Sequence, residues 1–297
     1  MEAATRSYQI GRATGLDHDC FPIRLWHKAK RLGVWNPQEI DFERDRRDWT
    51  QLNADEQDVL LRLSSLFLAG EESVTLDLLP LLLTLAREGR LEEEIYLTSF
   101  LFEEAKHVEV FQRFMEEVAR PRQDLSGFQG ESYRELFQQR LPQALNRLLE
   151  DPSPQAQARA SVTYNLVVEG VVAETGYHAY HSALSRRGVL PAMQQAIRLV
   201  KRDESRHLAY GVFLLSRLVA EHGDPVWEII QDEMSELLPF ALGIVEEVFA
   251  AYREPPFQLD LDEFLDYASG QFQARIHRID QARGLPPEEV FRQGAED

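Results

Sequence analysis

Apolar side chains recur along most of this chain at intervals of three and four residues, which is the spacing of a buried helical stripe. One such stripe runs through Leu60, Leu63, Phe67, Val74 and Leu78. Runs in which apolar and polar residues alternate, as a half-buried strand requires, are scarce, whereas helix-forming residue types abound. The pattern therefore predicts an all-α protein.

Caps and prolines divide this pattern into separate helices. Asn53 is a suitable N-cap for the first long helix, because Asp55 and Glu56 follow it in the first turn. Pro80 is expected to kink or end that helix, since proline lacks the backbone N–H that an inner turn needs. Later helices are predicted at residues 91–118, 131–149, 154–185, 189–222, 225–252 and 260–282.

Four glutamates and two histidines follow an order that occurs twice, a lone glutamate and then a Glu-x-x-His motif. In chain order they are Glu71, Glu104, His107, Glu169, Glu204 and His207. Residues three apart share one face of a helix, so the glutamate and histidine of each motif can reach the same ion. Two helices that give one glutamate each, and two that give Glu-x-x-His, hold a metal pair in a ferritin-like four-helix bundle.

The neighbours of these glutamates place them on buried helix faces. Glu71 follows Phe67 by four residues and precedes Val74 by three, and the other three have similar apolar neighbours. Ionised carboxylates are very costly to bury without partners, so four of them together need a strong counter-charge. Two metal ions would supply it. The adjacent Glu72 and Glu103 are expected to be turned away.

The ligand types narrow the choice of metal. Carboxylate oxygens and imidazole nitrogens suit iron and manganese. Zinc prefers fewer ligands and often cysteine, and calcium and magnesium seldom use histidine. A glutamate-rich metal pair can change oxidation state, which is typical of dioxygen activation.

Charge and composition exclude several other classes of function. A net charge of −18 argues against a nucleic-acid surface, which needs basic patches. The lone Cys20 cannot form an internal disulfide, which fits a cytoplasmic location. The longest apolar stretch, at residues 78–86, falls well short of the roughly 20 residues that span a bilayer, so no integral membrane segment is expected.

The whole chain, residues 1–297, is predicted to form one domain, because no linker rich in Gly, Ser or Pro divides it. The metal-binding core is placed at about residues 54–222 because the ligand motifs lie inside that range. Additional helices at residues 22–50 and 225–282 are expected to flank the four-helix core.

At these residues the chain resembles the small-subunit superfamily of ribonucleotide reductase. Arg202-Asp203-Glu204 looks like the family's second metal motif, and Trp35-Asn36-Pro37 looks like its N-terminal tryptophan segment. The resemblance implies that Asp203 hydrogen-bonds His107 and links it to Trp35. Tyr177 is also expected close to the ligands.

One branch of that superfamily fits better, the ribonucleotide reductase small-subunit-like ligand-binding oxidases. Residues 69–77, 164–170 and 237–243 are similar to that branch. The resemblance implies one manganese and one iron, although a di-iron pair remains possible. Site 1, manganese, would take Glu71, Glu104 and His107. Site 2, iron, would take Glu104, which bridges, and Glu169, Glu204 and His207.

The same resemblance implies an ether cross-link between Tyr164 and Val74, formed with O2. Val74 is three residues after Glu71 and therefore near site 1. Tyr164 is five residues before Glu169, about 140° away on an α-helix, so a π-bulge would be needed to aim it at the site.

A long-chain fatty acid or similar lipid is the ligand that the resemblance implies, with its carboxylate on the metals. The apolar stretches 60–68, 162–172 and 240–248 are expected to line its channel, and Gly70 to leave room near site 1. The chain is also expected to form a homodimer.

The main alternative is a radical-generating small subunit of a manganese–iron ribonucleotide reductase. Trp35 and Asp203 favour that alternative. Phe111 occupies the position where many such subunits carry the radical tyrosine, and residues 286–297 lack the tyrosine of their tails. Iron storage is disfavoured because storage shells use shorter chains.

Overall fold

The computed structural model describes residues 15–293, and all regular secondary structure in that range is helical, which confirms the predicted class. The α-helices are α1 (Phe21–Leu32), α2 (Glu43–Trp49), α3 (Ala54–Arg87), α4 (Leu91–Phe114), α5 (Glu131–Tyr133), α6 (Leu141–Arg147), α7 (Pro154–Ser161), α8 (Glu174–Arg187), α9 (Pro191–His222), α10 (Asp224–Phe249), α11 (Leu261–Asp280) and α12 (Pro287–Gln293). The predicted domain 1–297 also includes residues 1–14 and 294–297, which lie outside the described residues.

Wider π-helical turns interrupt or join several of these helices. They occupy Met115–Ala119, Arg134–Arg140 and Val162–Ala173. The last of these, here called the π segment, joins α7 to α8, so residues 154–187 form one continuous helical rod. Short 3-10 turns occupy Pro37–Glu39, Ser126–Phe128 and Pro256–Gln258.

The first long helix begins as predicted but does not end at Pro80. Asn53 Oδ1 accepts from the Glu56 amide at 2.9 Å, and Glu56 Oε2 accepts from the Asn53 amide at 3.0 Å. α3 then continues through Pro80 to Arg87. Leu78 and Leu81, which flank the proline, are fully buried, and their packing outweighs the one backbone hydrogen bond that proline removes.

Four rods surround the centre of the molecule: α3, α4, the rod formed by residues 154–187, and α9. α3 packs on α4, while α9 packs on α4, on the π segment and on α8. α1 covers α4 and α9, and α10 and α11 pack against the π segment. Among residues 15–293, no helix is both long and apolar enough to cross a membrane.

Two apolar clusters fill the interior on either side of the ligand motifs. On α4, Phe100 belongs to one cluster and Phe111 to the other. On α9, Tyr210 lies in the same cluster as Phe100, and Val200 lies in the same cluster as Phe111. The polar motif of each helix therefore lies between two apolar turns, where water is excluded from both directions.

Candidate metal centre

The predicted ligand side chains meet at the middle of the bundle. α3 supplies Glu71, the π segment supplies Glu169, and α4 and α9 each supply one Glu-x-x-His motif. Their ligand atoms fall into two groups, each with all of its atoms within 4.8 Å of one another. The first group is Glu71, Glu104, His107 and Glu204, and the second is Glu104, Glu169, Glu204 and His207.

Two glutamates belong to both groups, Glu104 and Glu204. The sequence placed Glu204 in the second group alone. In the structure its two oxygens diverge, since Oε1 lies 3.1 Å from His107 Nδ1 and Oε2 lies 3.1 Å from His207 Nδ1. A side chain that points between the two histidines is shared between the sites.

The spacing of these atoms fits metal ions. A first-row ion such as zinc binds nitrogen and oxygen at roughly 2.1 Å, so two ligand atoms at right angles lie roughly 3 Å apart. His207 Nδ1 lies 3.0 Å from Glu104 Oε1. His107 Nδ1 lies 3.5 Å from Glu71 Oε2 and 3.8 Å from Glu104 Oε2. Both histidines therefore direct Nδ1 into the cluster.

Several of these polar atoms are buried without a well-formed hydrogen bond. They include both oxygens of Glu104, Oε1 of Glu169 and Nδ1 of His107. Buried polar atoms in folded proteins almost always have a partner. Four carboxylates and two imidazoles with free lone pairs are suited to metal ions, so the residues present fit a dimetal cofactor.

The pKa values of the ligand carboxylates reflect their burial and the charged side chains around them. Burial raises the pKa of Glu71 well above its ordinary value. Burial and the neighbouring Glu204 carboxylate raise the pKa of Glu169 in the same direction. Burial also opposes ionisation of Glu104, but the adjacent His107 and His207 outweigh it and hold the pKa of Glu104 below its ordinary value. Protons must therefore leave when metals bind.

The outer nitrogen of His107 faces the residues that the family resemblance linked to it. His107 Nε2 lies 3.5 Å from Asp203 Oδ2 without the expected hydrogen bond, whereas Trp35 Nε1 donates to the same oxygen at 2.7 Å. Burial disfavours the charge on Asp203, but His107 and Lys106 hold the pKa of Asp203 below its ordinary value. Asp203 is therefore a fixed anion behind the first histidine.

Glu103 hydrogen-bonds the outer nitrogen of the second histidine, a role that the sequence did not predict. It is turned away from the ligand cluster, as expected, but only 1% of it is exposed. Glu103 Oε2 lies 2.9 Å from His207 Nε2. Arg206 Nη2 then joins the two outer carboxylates, at 2.5 Å from Glu103 Oε1 and 2.6 Å from Asp203 Oδ1.

Glu72 and Tyr177 lie where the sequence placed them. Glu72 is exposed to solvent although it follows Glu71 directly. The Tyr177 hydroxyl donates to Glu204 Oε1 at 3.3 Å and to Glu71 Oε1 at 3.5 Å. Tyr177 therefore spans two of the ligand glutamates from the side of α8.

Tyr164 and Val74, the expected cross-link pair, are both buried in one apolar cluster. Tyr164 lies in the π segment, whose i to i+5 hydrogen bonds bring residues five apart, such as Tyr164 and Glu169, close to one face. The Tyr164 hydroxyl is buried without a hydrogen-bond partner. Burial, with Glu104 and Glu169 nearby, raises the pKa of Tyr164 well above its ordinary value, so it is a neutral phenol.

An apolar pocket adjoins the ligand cluster, and the space between its walls, including the part that is open to solvent, is about 900 Å³. Each predicted channel stretch contributes to its walls, with side chains such as Leu63, Val172 and Val248. Gly70 and Val74 also line it. The four ligand glutamates border the cavity, whereas neither ligand histidine does.

A helix bundle with these paired ligands has the architecture of the ferritin-like dimetal carboxylate proteins. The family model for the ribonucleotide reductase small chain matches residues 23–272. An R2-like ligand-binding oxidase with an aerobically reconstituted Mn/Fe cofactor is 37% identical, with a TM-score of 0.86, over 92% of this chain and 98% of that chain. The R2-like ligand-binding oxidase from Sulfolobus acidocaldarius is also 37% identical, with a TM-score of 0.86, over 94% of this chain and 96% of that chain.

These matches confirm the resemblance that the motifs predicted. The chain belongs to the ribonucleotide reductase small-chain family and, within it, to the R2-like ligand-binding oxidases. The ferritin-like fold predicted from the ligand spacing is confirmed by the same matches.

Replacing Glu104 with alanine is expected to remove both metals, because Glu104 belongs to both ligand groups. Elemental analysis of the purified protein measures the loss. Glu72→Ala is the matched control, since it deletes an exposed carboxylate from the same bundle and should leave metal content unchanged. Full occupancy of both sites in Glu104→Ala would disprove the bridging role.

Proposed function

We propose that this chain is an oxidase that binds one manganese and one iron ion and uses O2 to oxidise an apolar ligand. The observation that carries this proposal is the pair of buried ligand groups, joined through Glu104 and Glu204, beside an apolar cavity. The Mn/Fe cofactor of similar oxidases supports the choice of metals.

The two metals would use the six predicted side chains. The first group of ligand atoms would hold manganese and the second would hold iron. The alternative is a di-iron pair, with iron in both sites. When bound, such a pair supplies electrons to dioxygen. The hydrogen bond with Glu103 fixes the ring of His207, so that its Nδ1 stays directed at its ion, and the Asp203 carboxylate faces the outer nitrogen of His107 at 3.5 Å.

Tyr164 and Val74 are the residues proposed to form an ether cross-link. The reaction joins Tyr164 Oη to the Val74 β-carbon and removes the phenolic hydrogen and the tertiary β-hydrogen. This oxidation releases two electrons and two protons. Reduction of dioxygen to water would take up these, together with two electrons supplied by the reduced metals and two further protons. The buried phenol, which has no hydrogen-bond partner among residues 15–293, supports this assignment because its oxygen is not committed to another well-formed contact there.

Exposure of the reduced, metal-loaded protein to air is expected to yield a fused Val74–Tyr164 peptide about two daltons lighter than its separate parts, since two hydrogens are lost. Intact-mass spectrometry and peptide mapping measure the change. Tyr164→Phe is the control, which should load both metals without cross-linking. Separate, unmodified peptides after complete aerobic assembly would refute this step.

The cavity is proposed to hold a long-chain fatty acid or related lipid. Its carboxylate would reach the metals beside the ligand glutamates, and its tail would lie along the apolar walls. Each buried CH₂ is worth about 0.8 kcal/mol, so a long chain would bind far more tightly than acetate. The cavity walls also exclude water from the oxidised carbon.

Gly70→Phe is expected to reduce the lipid content of the purified protein, because the added ring would occupy cavity space next to Glu71. Gly70 lines the cavity, and a β-carbon there would lie only 3.3 Å from the ring of Phe137, which lines it too. Gly70→Ala is the matched control, since a small shift of the Phe137 ring accommodates one methyl group. Lipid extraction is compared at matched metal content and melting temperature. Equal fatty-acid content in all three proteins would end the assignment of Gly70 to the pocket, and an absence of organic ligand in the wild type would contradict the lipid itself.

A homodimer is proposed as the assembly. Large apolar side chains are exposed on two packed helices, with Leu76 and Leu79 on α3 and Phe102 on α4. A second copy would cover them. Light scattering should give the mass of two chains, and the mass of a single chain at every concentration would contradict the dimer.

The alternative, a reductase small subunit, is supported by the contact between Trp35 and Asp203. That function requires Trp35 to carry an electron between the metal centre and another chain. Phe111, fully buried beside the cluster, offers no radical-forming phenol. A Trp35 radical formed by the wild-type protein during assembly in air would favour this alternative.

A further inference from the structure

Trp35 offers electrons a short route between the metal centre and solvent. Its ring is stacked on the His107 ring with centroids 6.4 Å apart and an interplanar angle of 14°. Its Nε1 donates to Asp203, and the side chain is partly exposed. An indole is among the most readily oxidised side chains, so a strongly oxidising centre at this distance would draw an electron from it unless something opposed the transfer.

Lys106 is positioned to oppose this electron transfer from Trp35. The Lys106 ammonium lies 4.3 Å from the centroid of the Trp35 ring, over its face. It donates to the Gly33 carbonyl at 2.6 Å and to Asp203 Oδ2 at 2.8 Å. Only 5% of Lys106 is exposed, so the charge is fixed and poorly screened by water.

A cation over an indole face stabilises the neutral ring and repels the positive charge that appears when the ring loses an electron. Loss of the Nε1 proton would relieve that charge, and Asp203 is the acceptor in reach. Asp203 already accepts from Lys106 and from Arg206. Both the electron and the proton are therefore held on Trp35.

We propose that Lys106 prevents the oxidised metal centre from losing its oxidising power through Trp35. This inference deepens the proposed oxidase function and rests on it. In the prevented reaction, Trp35 gives one electron to the oxidised centre and its Nε1 proton to Asp203, and the centre is reduced by one electron. That electron would otherwise come from the cross-link pair or the bound ligand. Lys106 thus acts through Trp35 and makes two-electron oxidation the productive outcome.

The effect of the Lys106 charge on the oxidation of Trp35 can be tested in metal-free protein with an external photo-oxidant. A ruthenium polypyridyl complex and a sacrificial electron acceptor generate a one-electron oxidant in a laser flash, and transient absorption measures tryptophan radicals. Trp35→Phe identifies the part of the signal that belongs to Trp35. Lys106→Met should raise the Trp35 radical yield about tenfold, because the cation–π contact is lost.

Two further variants separate charge from hydrogen bonding. Lys106→Gln keeps a donor for Asp203 but has no charge, and it should resemble Lys106→Met. Lys106→Arg keeps the charge and should resemble wild type. Equal radical yields in wild type and the three Lys106 variants would overturn the proposal. A wild-type yield in Lys106→Gln would also overturn it. Melting temperatures of the variants identify any protein that does not fold, and the remaining variants decide the result.

Assembly in air with manganese and iron tests the consequence for the reaction. Lys106→Gln should lower the yield of the Val74–Tyr164 cross-link at unchanged metal content, and adding Trp35→Phe should restore it. A purely structural defect would not be rescued by removing a second side chain, so a failure of that rescue would overturn the proposal. If wild type forms no cross-link, the proposed cross-link step fails, while the photo-oxidation of metal-free protein still decides the role of Lys106.

Discussion

The fold depends on the burial of negative charge at its centre. Four ligand glutamates meet where two apolar clusters exclude water, and a carboxylate in such a place is costly without a counter-charge. Two more carboxylates, Asp203 and Glu103, lie directly behind the histidines. Arg206 and Lys106 balance this outer pair, whereas among residues 15–293 the inner glutamates form ion pairs only with the two ligand histidines and with no lysine or arginine. The metals are therefore part of the core as well as of the chemistry.

Backbone geometry adapts to this requirement. α3, α4 and α9 hold their ligands on ordinary α-helical faces, where residues three apart lie together. The fourth rod departs from that geometry, and its π segment carries both Glu169 and Tyr164. A wider turn has poorer packing and is seldom used without a functional reason. Here it lets one rod present a ligand and a phenol to the same cluster.

The six ligands could be predicted from the sequence because their spacing repeats and because each lies on an apolar stripe. The helices could be predicted for the same reason, although packing around Leu78 and Leu81 carries α3 through Pro80. The contacts of Glu103 and Arg206 could not be predicted. They depend on which faces of α4 and α9 meet, and a glutamate beside a motif has the same local pattern whether it faces solvent or another helix. The sharing of Glu204 between both groups is also a matter of side-chain orientation, which spacing does not determine.

The centre is asymmetric, and under the proposed oxidase function the asymmetry would separate two kinds of oxidation. The ligand glutamates border the apolar cavity, where the tail of a bound lipid would offer uncharged C–H bonds. The histidines face the opposite environment, in which Asp203, Glu103, Arg206, Lys106 and Trp35 form a charged network. Trp35 on the histidine side would give up one electron at a time through its contact with His107, while carbon on the glutamate side can give up two with its hydrogens. Fixed positive charge beside the indole raises the cost of the first path and leaves the second unaffected. A helix bundle that retains the tryptophan and aspartate of a radical-transfer protein can thus favour oxidation of its own ligand through the placement of one ammonium group.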